Sequence, residues 1–306
     1  MNEELFEHYR PLMFAIAYRM LGTVMDAEDI VQEAYLRCQR MPEESIESPR
    51  AFLSTVVTRL CLNHLERAHI KRETYVGPWL PEPIVTTGSM SLESPAERIS
   101  RIESISMAFL VLLESLTPAE RAVFLLREVF EYDYGEIASI LGKSDAACRQ
   151  LFSRARRQVA ARRPRFKHAA ETHRQLVLRF LEAAGSGQMA PITEMLSEDV
   201  TMWADGGGKT YAALRPIHGK DNVARLILNS QRFLPAGDPV IEIVPINGKP
   251  AVLVRTDGRP VLVLDFDLEE GTGEDQHQPR IRVIHAVANP DKLQHLDSPL
   301  PDLMAY

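Results

Sequence analysis

At 306 residues, with a formal net charge of −7 and a pI near 5.8, the chain has room for two or three domains and is not coated in positive charge. Its three cysteines, Cys38, Cys61 and Cys148, lie far apart with no Cys-x-x-Cys, which argues against a disulfide framework or a zinc site and predicts ordinary buried thiols. No signal peptide or apolar run of membrane length is legible, so a cytoplasmic protein with no membrane partner and no cofactor is expected.

Residues 1–72 read as helix throughout. The apolar run Phe14–Leu21 stops at Gly22, and Asp26-Ala27-Glu28-Asp29 opens a second helix with acids at the positive end of its dipole. Ile30, Val31, Ala34, Tyr35 and Cys38 form its inward side, leaving Asp26, Asp29, Gln32, Glu33 and Arg37 outside. A third helix is predicted from about Arg50 to His69, with Phe52, Leu53, Val56, Leu60 and Leu65 as core positions. Arg59, Asn63 and Arg67 recur every four residues on it and continue into Lys71 and Arg72 as a polar stripe.

Residues 73–97 read as a proline-rich linker. Three prolines within Pro78–Pro83 forbid helix and favour extended backbone. Trp79 and Leu80 are costly to leave in water, so this stretch is expected to dock against another part of the chain.

Residues 98–166 carry a helix-turn-helix. Thr117, Pro118 and Glu120 form a capping box with proline at the first helical position, and Asp133 with Glu136 repeats the device. Gly142-Lys143-Ser144 breaks the chain before a helix beginning near Asp145. Cys148, Leu151, Phe152, Ala155 and Val159 make its buried stripe. Arg149, Gln150, Ser153, Arg154, Arg156 and Arg157 form the opposite face. From Lys143 to Lys167 there are nine Lys/Arg against a single acid, Asp145, which is too lopsided for solubility alone and suits a helix in the major groove.

The two helical halves together resemble a known family. Asp26-Ala-Glu-Asp-Ile-Val-Gln-Glu-Ala, Arg50-Ala-Phe-Leu and Arg59-Leu-Cys-Leu-Asn-His-Leu are similar to region 2 of sigma-70-type initiation factors, and the helix-turn-helix to their region 4. Having these two regions alone is the pattern of the extracytoplasmic-function group. The resemblance implies a subunit that binds core RNA polymerase and directs initiation at promoter DNA. It places Asp26, Asp29, Gln32 and Glu33 on the β′ clamp helices and region 4 at the β flap. Arg59, Asn63, Arg67, Lys71 and Arg72 would meet the −10 element. Ser144, Arg149, Gln150, Ser153, Arg154 and Arg157 would meet the −35 element.

Residues 167–306 change character, with 13 Lys/Arg and 19 Asp/Glu from His168 onward. Helices are predicted over Glu171–Ala184, Met189–Leu196 and Asn222–Gln231. Strands are predicted at Val200–Trp203, around Tyr211–Leu214, and at Val240–Ile246, Ala251–Thr256, Val261–Leu268 and Ile281–Val287. This order makes an α+β domain and resembles the SnoaL-like cone, which encloses a pocket able to take a small ligand. The predicted whole is thus multidomain: two all-α sigma regions followed by an α+β SnoaL-like domain with a C-terminal tail.

The run Trp79-Leu80-Pro81-Glu82-Pro83 looks like the linker signature of the sigma subgroup that carries such an extension. Asp205-Gly206-Gly207-Gly208-Lys209 and Asn289-Pro290-Asp291-Lys292-Leu293 look like further marks of it, and all three runs are expected to meet in a regulatory contact. Cones of this kind also occur in enzymes. Asp205, Asp265, Asp267 and His285 are therefore candidate proton carriers, and Trp203 and Tyr211 candidate pocket walls. Asp265 and Asp267, on one face of a strand, read better as solvated, and His285 as a hydrogen-bonded core residue. No enzyme activity is predicted. The alternative to a sigma factor is a stand-alone helix-turn-helix regulator with a ligand-binding domain.

Overall fold

A computed structural model describes residues 3–39, 46, 48–72, 74–86, 104–162, 170–230, 232, 235–269 and 278–297. The end of the linker beyond Thr86, the basic run 163–167, and the side chains of Lys71 and Arg72 lie outside the described residues.

Three helices come first: α1 (Glu3–Leu21), α2 (Val24–Cys38) and α3 (Pro49–Arg72). Four follow the linker: α4 (Met107–Leu113), α5 (Pro118–Glu128), α6 (Tyr134–Leu141) and α7 (Asp145–Arg162). Both capping boxes form: Thr117 accepts from the Glu120 amide and Asp133 from the Glu136 amide, each glutamate answering to its cap's own backbone N–H. Gly142 closes α6 with φ +62°, a left-handed residue that only glycine adopts without strain, and this sets the turn into α7.

The two helical groups share one apolar core. Phe14, Ile16, Leu53 and Leu60 belong to the same buried cluster as Phe109, Phe124, Ile137 and Val159. Two buried arginines cross the boundary. Arg19 Nη2 donates to Ser104 Oγ at 3.1 Å, and Arg121 Nη1 donates to the Met20 carbonyl at 2.6 Å and to Glu114 at 2.8 Å. Burial lowers the Arg121 guanidinium to about 10, and these acceptors offset the cost of holding it out of water.

The C-terminal part is α+β. Helices α8 (Ala170–Ser186) and α9 (Met189–Met195) precede strands β1 (Leu196–Asp205) and β2 (Ile217–His218). After α10 (Lys220–Ser230) come β3 (Pro239–Ile246), β4 (Lys249–Thr256), β5 (Arg259–Glu269) and β6 (Arg280–Val287), then a short 3-10 turn at Pro290–Lys292. The sheet order is β2-β1-β6-β5-β4-β3, with β1 and β6 parallel and the other neighbours antiparallel.

Alternation divides the strands between two faces. Val252, Phe266, Ile284 and Met202 face the core shared with α8, α9 and α10. Leu253, Val263 and Val287 face a second cluster containing Leu80, Met107, Leu293 and Leu296, so the far side of the sheet is covered by linker, α4 and tail. One predicted strand is absent. Residues 211–214 run as irregular backbone because the open edge of β1 is taken by Ile217–His218, paired with Met202 and Thr201.

Candidate functional site

The three short motifs converge on one carboxylate. Asp205, at the end of β1, has no exposed surface. Its Oδ1 accepts from the Tyr75 hydroxyl and from the Gly207 amide at 3.0 Å, and its Oδ2 accepts from the Leu80 amide at 2.8 Å and the Lys292 ammonium at 2.7 Å. One side chain thus ties together linker, turn and tail. Lys292, itself 5% exposed, lies 4.2 Å from the Trp79 ring centroid and 5.1 Å from that of Tyr75, and also donates to the Leu80 carbonyl. Asn289 donates to Tyr75 Oη at 3.0 Å and caps the tail turn through the Asp291 amide at 3.1 Å. Lys209 and Asp291 pair on the surface above this centre.

The glycines of the turn are there for close approach. Gly207 has φ +58°, and a Cβ there would stand 2.3 Å from Asn289 Nδ2. Gly208, at φ +71°, lies against Val76, and at Gly206 a Cβ would strike the Thr210 carbonyl at 2.7 Å.

The linker also grips the first helical group directly. Thr23 stands at the N-cap of α2 but makes no side-chain capping bond. The cap comes instead from 58 residues away: Glu82 Oε2 accepts from the Val24 amide at 2.7 Å, and the Glu82 amide donates to the Gly22 carbonyl at 2.8 Å. Burial pushes the Glu82 carboxyl up to about 7, opposed by the amides of Val24 and Met25 and by Lys292. Tyr18 Oη donates to the Glu82 carbonyl at 2.7 Å, and His295 of the tail contacts the Pro83 carbonyl at 2.7 Å. Pro81, Pro83 and Leu80 are buried, and Leu80 alone contributes about 1.5–3 kcal/mol of burial.

A second contact was not visible in the sequence. Asn247, at the β3–β4 hairpin tip with φ +48°, is fully buried. Its Nδ2 donates to Tyr18 Oη at 2.8 Å and the Ile105 carbonyl at 2.7 Å, and its Oδ1 accepts from the Ile84 amide at 3.1 Å. The signal was the Asn247-Gly248 pair, a hairpin-turn dipeptide, although the dipeptide does not say what the tip will touch.

These contacts tie a two-part helical protein to its extension. The Sigma-70 region 2 family matches residues 5–69, and the Sigma-70, region 4 family matches residues 106–159. The chain is similar to ECF RNA polymerase sigma factor SigJ of Mycobacterium tuberculosis, 37% identical over 309 residues that cover 98% of this chain and 95% of the relative. It is also similar to Probable ECF RNA polymerase sigma factor SigI of the same organism, 32% identical over 95% of this chain and 94% of the relative. The chain belongs to the ECF RNA polymerase sigma factors. The crystal structure of Mycobacterium tuberculosis extracytoplasmic function sigma factor SigJ matches this fold with a TM-score of 0.72 at 34% identity, covering 97% of this chain and 100% of that one.

In this sigma factor, Asp29, Gln32 and Glu33 are exposed on one side of α2. Asp26 is half-buried and engaged, bonded to Thr23 Oγ1 and 3.4 Å from His64 Nε2. Asn63 and Arg67 are exposed on α3, but Arg59 is turned to region 4, donating to the carbonyls of Ile140 at 2.8 Å and Ser139 at 3.1 Å. On α7, Arg149, Gln150, Ser153, Arg154 and Arg157 are all exposed. Arg149 stacks 4.3 Å from the Tyr134 ring centroid. Ser144 is exposed and acts as a cap, its Oγ accepting from the Ala147 amide at 3.2 Å.

Two expectations for the extension are corrected. Asp265 and Asp267 are buried rather than solvated, at 0% and 3% exposure. Lys249 reaches Asp267 at 2.7 Å, and His285 Nδ1 lies 3.4 Å from Asp265. Though Asp265 is buried, His285 and Lys249 hold its carboxyl below the usual range. Trp203 is not a pocket wall, because it packs on the linker side of the sheet, opposite the cavity described below. Tyr211 does line that cavity, about 300 Å³ in volume, between α10 and the helix-bearing face of the sheet. Among its described lining residues there is no Asp, Glu or His. No helix among the described residues is long and apolar enough to cross a membrane.

Proposed function

We propose that the extension of this sigma factor is a regulatory clasp, holding regions 2 and 4 in one arrangement through the linker between them. Asp29, Gln32 and Glu33, with Asp26 beside them, meet the β′ clamp helices, while region 4 sits at the β flap. Asn63, Arg67, Lys71 and Arg72 approach the −10 element, joined by Arg59 once it leaves region 4. Arg149, Gln150, Ser153, Arg154 and Arg157 read the −35 element, with Ser144 fixing the start of their helix. The exposure of Asp29, Gln32 and Glu33 on α2, of Asn63 and Arg67 on α3, and of the basic face of α7 supports these roles.

The observation that carries the regulatory reading is the buried Asp205 carboxylate, shared by Tyr75 and Leu80 of the linker, Gly207 of the turn and Lys292 of the tail. A buried acid with four donors from three segments defines one docked state rather than a loose association. With no Asp, Glu or His among its described lining residues, the cavity suits binding rather than turnover.

Two truncations test the clasp. Removing the tail after Ala288 leaves Asp205 without its lysine but keeps the Asn247 contact, and promoter activity should rise as the linker loosens. Removing everything after Lys167 deletes both contacts and should change activity differently, lowering it as the positioning surface disappears. Equal transcription from all three forms at matched protein levels would reduce the extension to an inert appendage.

A further inference from the structure

The cavity beneath α10 carries a chemical signature. Its volume of about 300 Å³ is at the low end of the roughly 300–1,000 Å³ typical of small-molecule sites. Ala204, Leu226, Leu264 and Ala286 give it aliphatic walls. Its polar side chains are the hydroxyls of Thr210, Tyr211 and Ser230 and one guanidinium, that of Arg259, which is exposed at the rim. With no carboxylate among the described lining residues, the charge of the site is one-sided.

Two further walls, Pro290 and Leu293, come from the docked tail, and Thr210 directly follows the Asp205–Lys209 turn. The site is therefore complete only while the tail is in place.

We propose that this cavity binds an apolar monoanion, in class a medium-length aliphatic carboxylate, with its chain between the sheet and α10 and its head at Arg259. The chain length comes from the walls, where each buried methylene contributes about fourfold in affinity. The charge comes from Arg259, whose planar fork matches a carboxylate in two parallel bonds. Because Pro290 and Leu293 reach the ligand only from the docked tail, the ligand binds that state more tightly and shifts the chain toward it. Tail docking must raise ligand affinity by the same factor. This linkage, unlike the binding itself, rests on the clasp reading.

The test titrates the full-length protein with decanoate and with decanol by calorimetry, at constant ionic strength and below micelle formation. Wild type should bind decanoate at least about tenfold more tightly than decanol. Arg259→Gln, at an exposed position that leaves the core intact, should bring decanoate down to the level of decanol. Ala213→Trp, filling the cavity from its partly exposed rim, should abolish binding of both. Equal affinity for the two probes, no binding of decanoate, or full binding by Ala213→Trp would each overturn the site. Saturating decanoate should also slow hydrogen exchange of the Ala288–Leu293 amides by about tenfold, and binding without that protection would overturn the linkage. The truncation experiment above is read without any ligand, so a dry cavity and an inert extension are separate failures.

Discussion

Replacing Lys292 by Met removes the ammonium paired with Asp205 while preserving most of the apolar stem. In the docked chain Asp205 would keep the Tyr75 hydroxyl and the amides of Leu80 and Gly207, yet its charge would remain at zero exposure with no cation. Breaking a buried ion pair on one side costs about 3–5 kcal/mol, and here the cation–π contacts with Trp79 and Tyr75 are lost as well. An undocked tail lets water reach the carboxylate, so the cost falls on the docked state alone. It should shift the docking equilibrium by roughly two to four powers of ten. Hydrogen exchange reads this at the amides of Ala288 and Asn289, which donate to the Asp205 carbonyl at 2.8 and 2.9 Å, and of Lys292, which donates to the Asn289 carbonyl at 3.0 Å. Adding Asp205→Asn to Lys292→Met removes the orphaned charge and should restore part of the protection. Unchanged exchange in the single variant, or no recovery in the double, would refute the claim that this pair holds the tail.

Glu82 should give the protein a pH-dependent weakness. Its carboxyl is raised to about 7, above the roughly 4.3 of an unfolded chain, so the native state holds the extra proton between those values. Its contribution is fully present below about pH 4.3 and is lost as pH rises through 7. Glu82→Gln should therefore gain on wild type by up to about 3 kcal/mol between pH 5 and pH 8 in urea unfolding, and parallel curves would contradict the assignment. On the DNA side, Arg154→Ala should weaken promoter binding about tenfold by anisotropy, the cost of one bidentate base contact. Arg149→Ala should also lose the stack on Tyr134, so thermal unfolding must be compared before its binding is interpreted.

What the sequence made legible was local. Capping boxes at Thr117 and Asp133, the glycine stop at Gly142 and the strand over Val261–Leu268 depend on residues a few positions apart, and each has the expected structure. The failures involve partners from distant strands or segments. Asp265 and Asp267 read as solvated because Lys249 and His285 are brought beside them only by the β4–β5 and β5–β6 pairings. Which face Trp203 joins depends on the clasp covering the far side of the sheet, something no period-2 pattern reveals. Glu82 carried no visible capping signal either, because the helix it caps begins 58 residues earlier. The family resemblance groups the three motifs, whereas the geometry shows that they share a single carboxylate.

The proposed DNA-facing surfaces of the two regions are not independent in this structure, and that bears on how the clasp would act. Arg59, first in the α3 stripe, is committed to the Ser139 and Ile140 carbonyls at the end of α6. The same seam holds the Ser54 and Tyr132 hydroxyls 2.7 Å apart, and Arg50 donates to the Phe130 carbonyl at 3.1 Å. Promoter elements named −10 and −35 lie about 25 base pairs apart, roughly 85 Å at about 3.4 Å per pair. Helix α3, at 24 residues, spans only about 36 Å. Regions packed side by side across this seam therefore cannot reach both elements, so promoter recognition requires the seam to part. Under the proposed assignment Arg59 must leave α6 to join the −10 contact, so the seam and the promoter would compete for one side chain. Ser54→Ala combined with Tyr132→Phe removes a buried hydrogen bond of about 1 kcal/mol without orphaning either partner and without touching the stripe. The pair should shift the chain about fivefold toward the parted state and speed association with core polymerase in stopped flow, leaving promoter preference unchanged. An unaltered association rate, with the fold intact by thermal unfolding, would mean that parting the seam does not limit engagement.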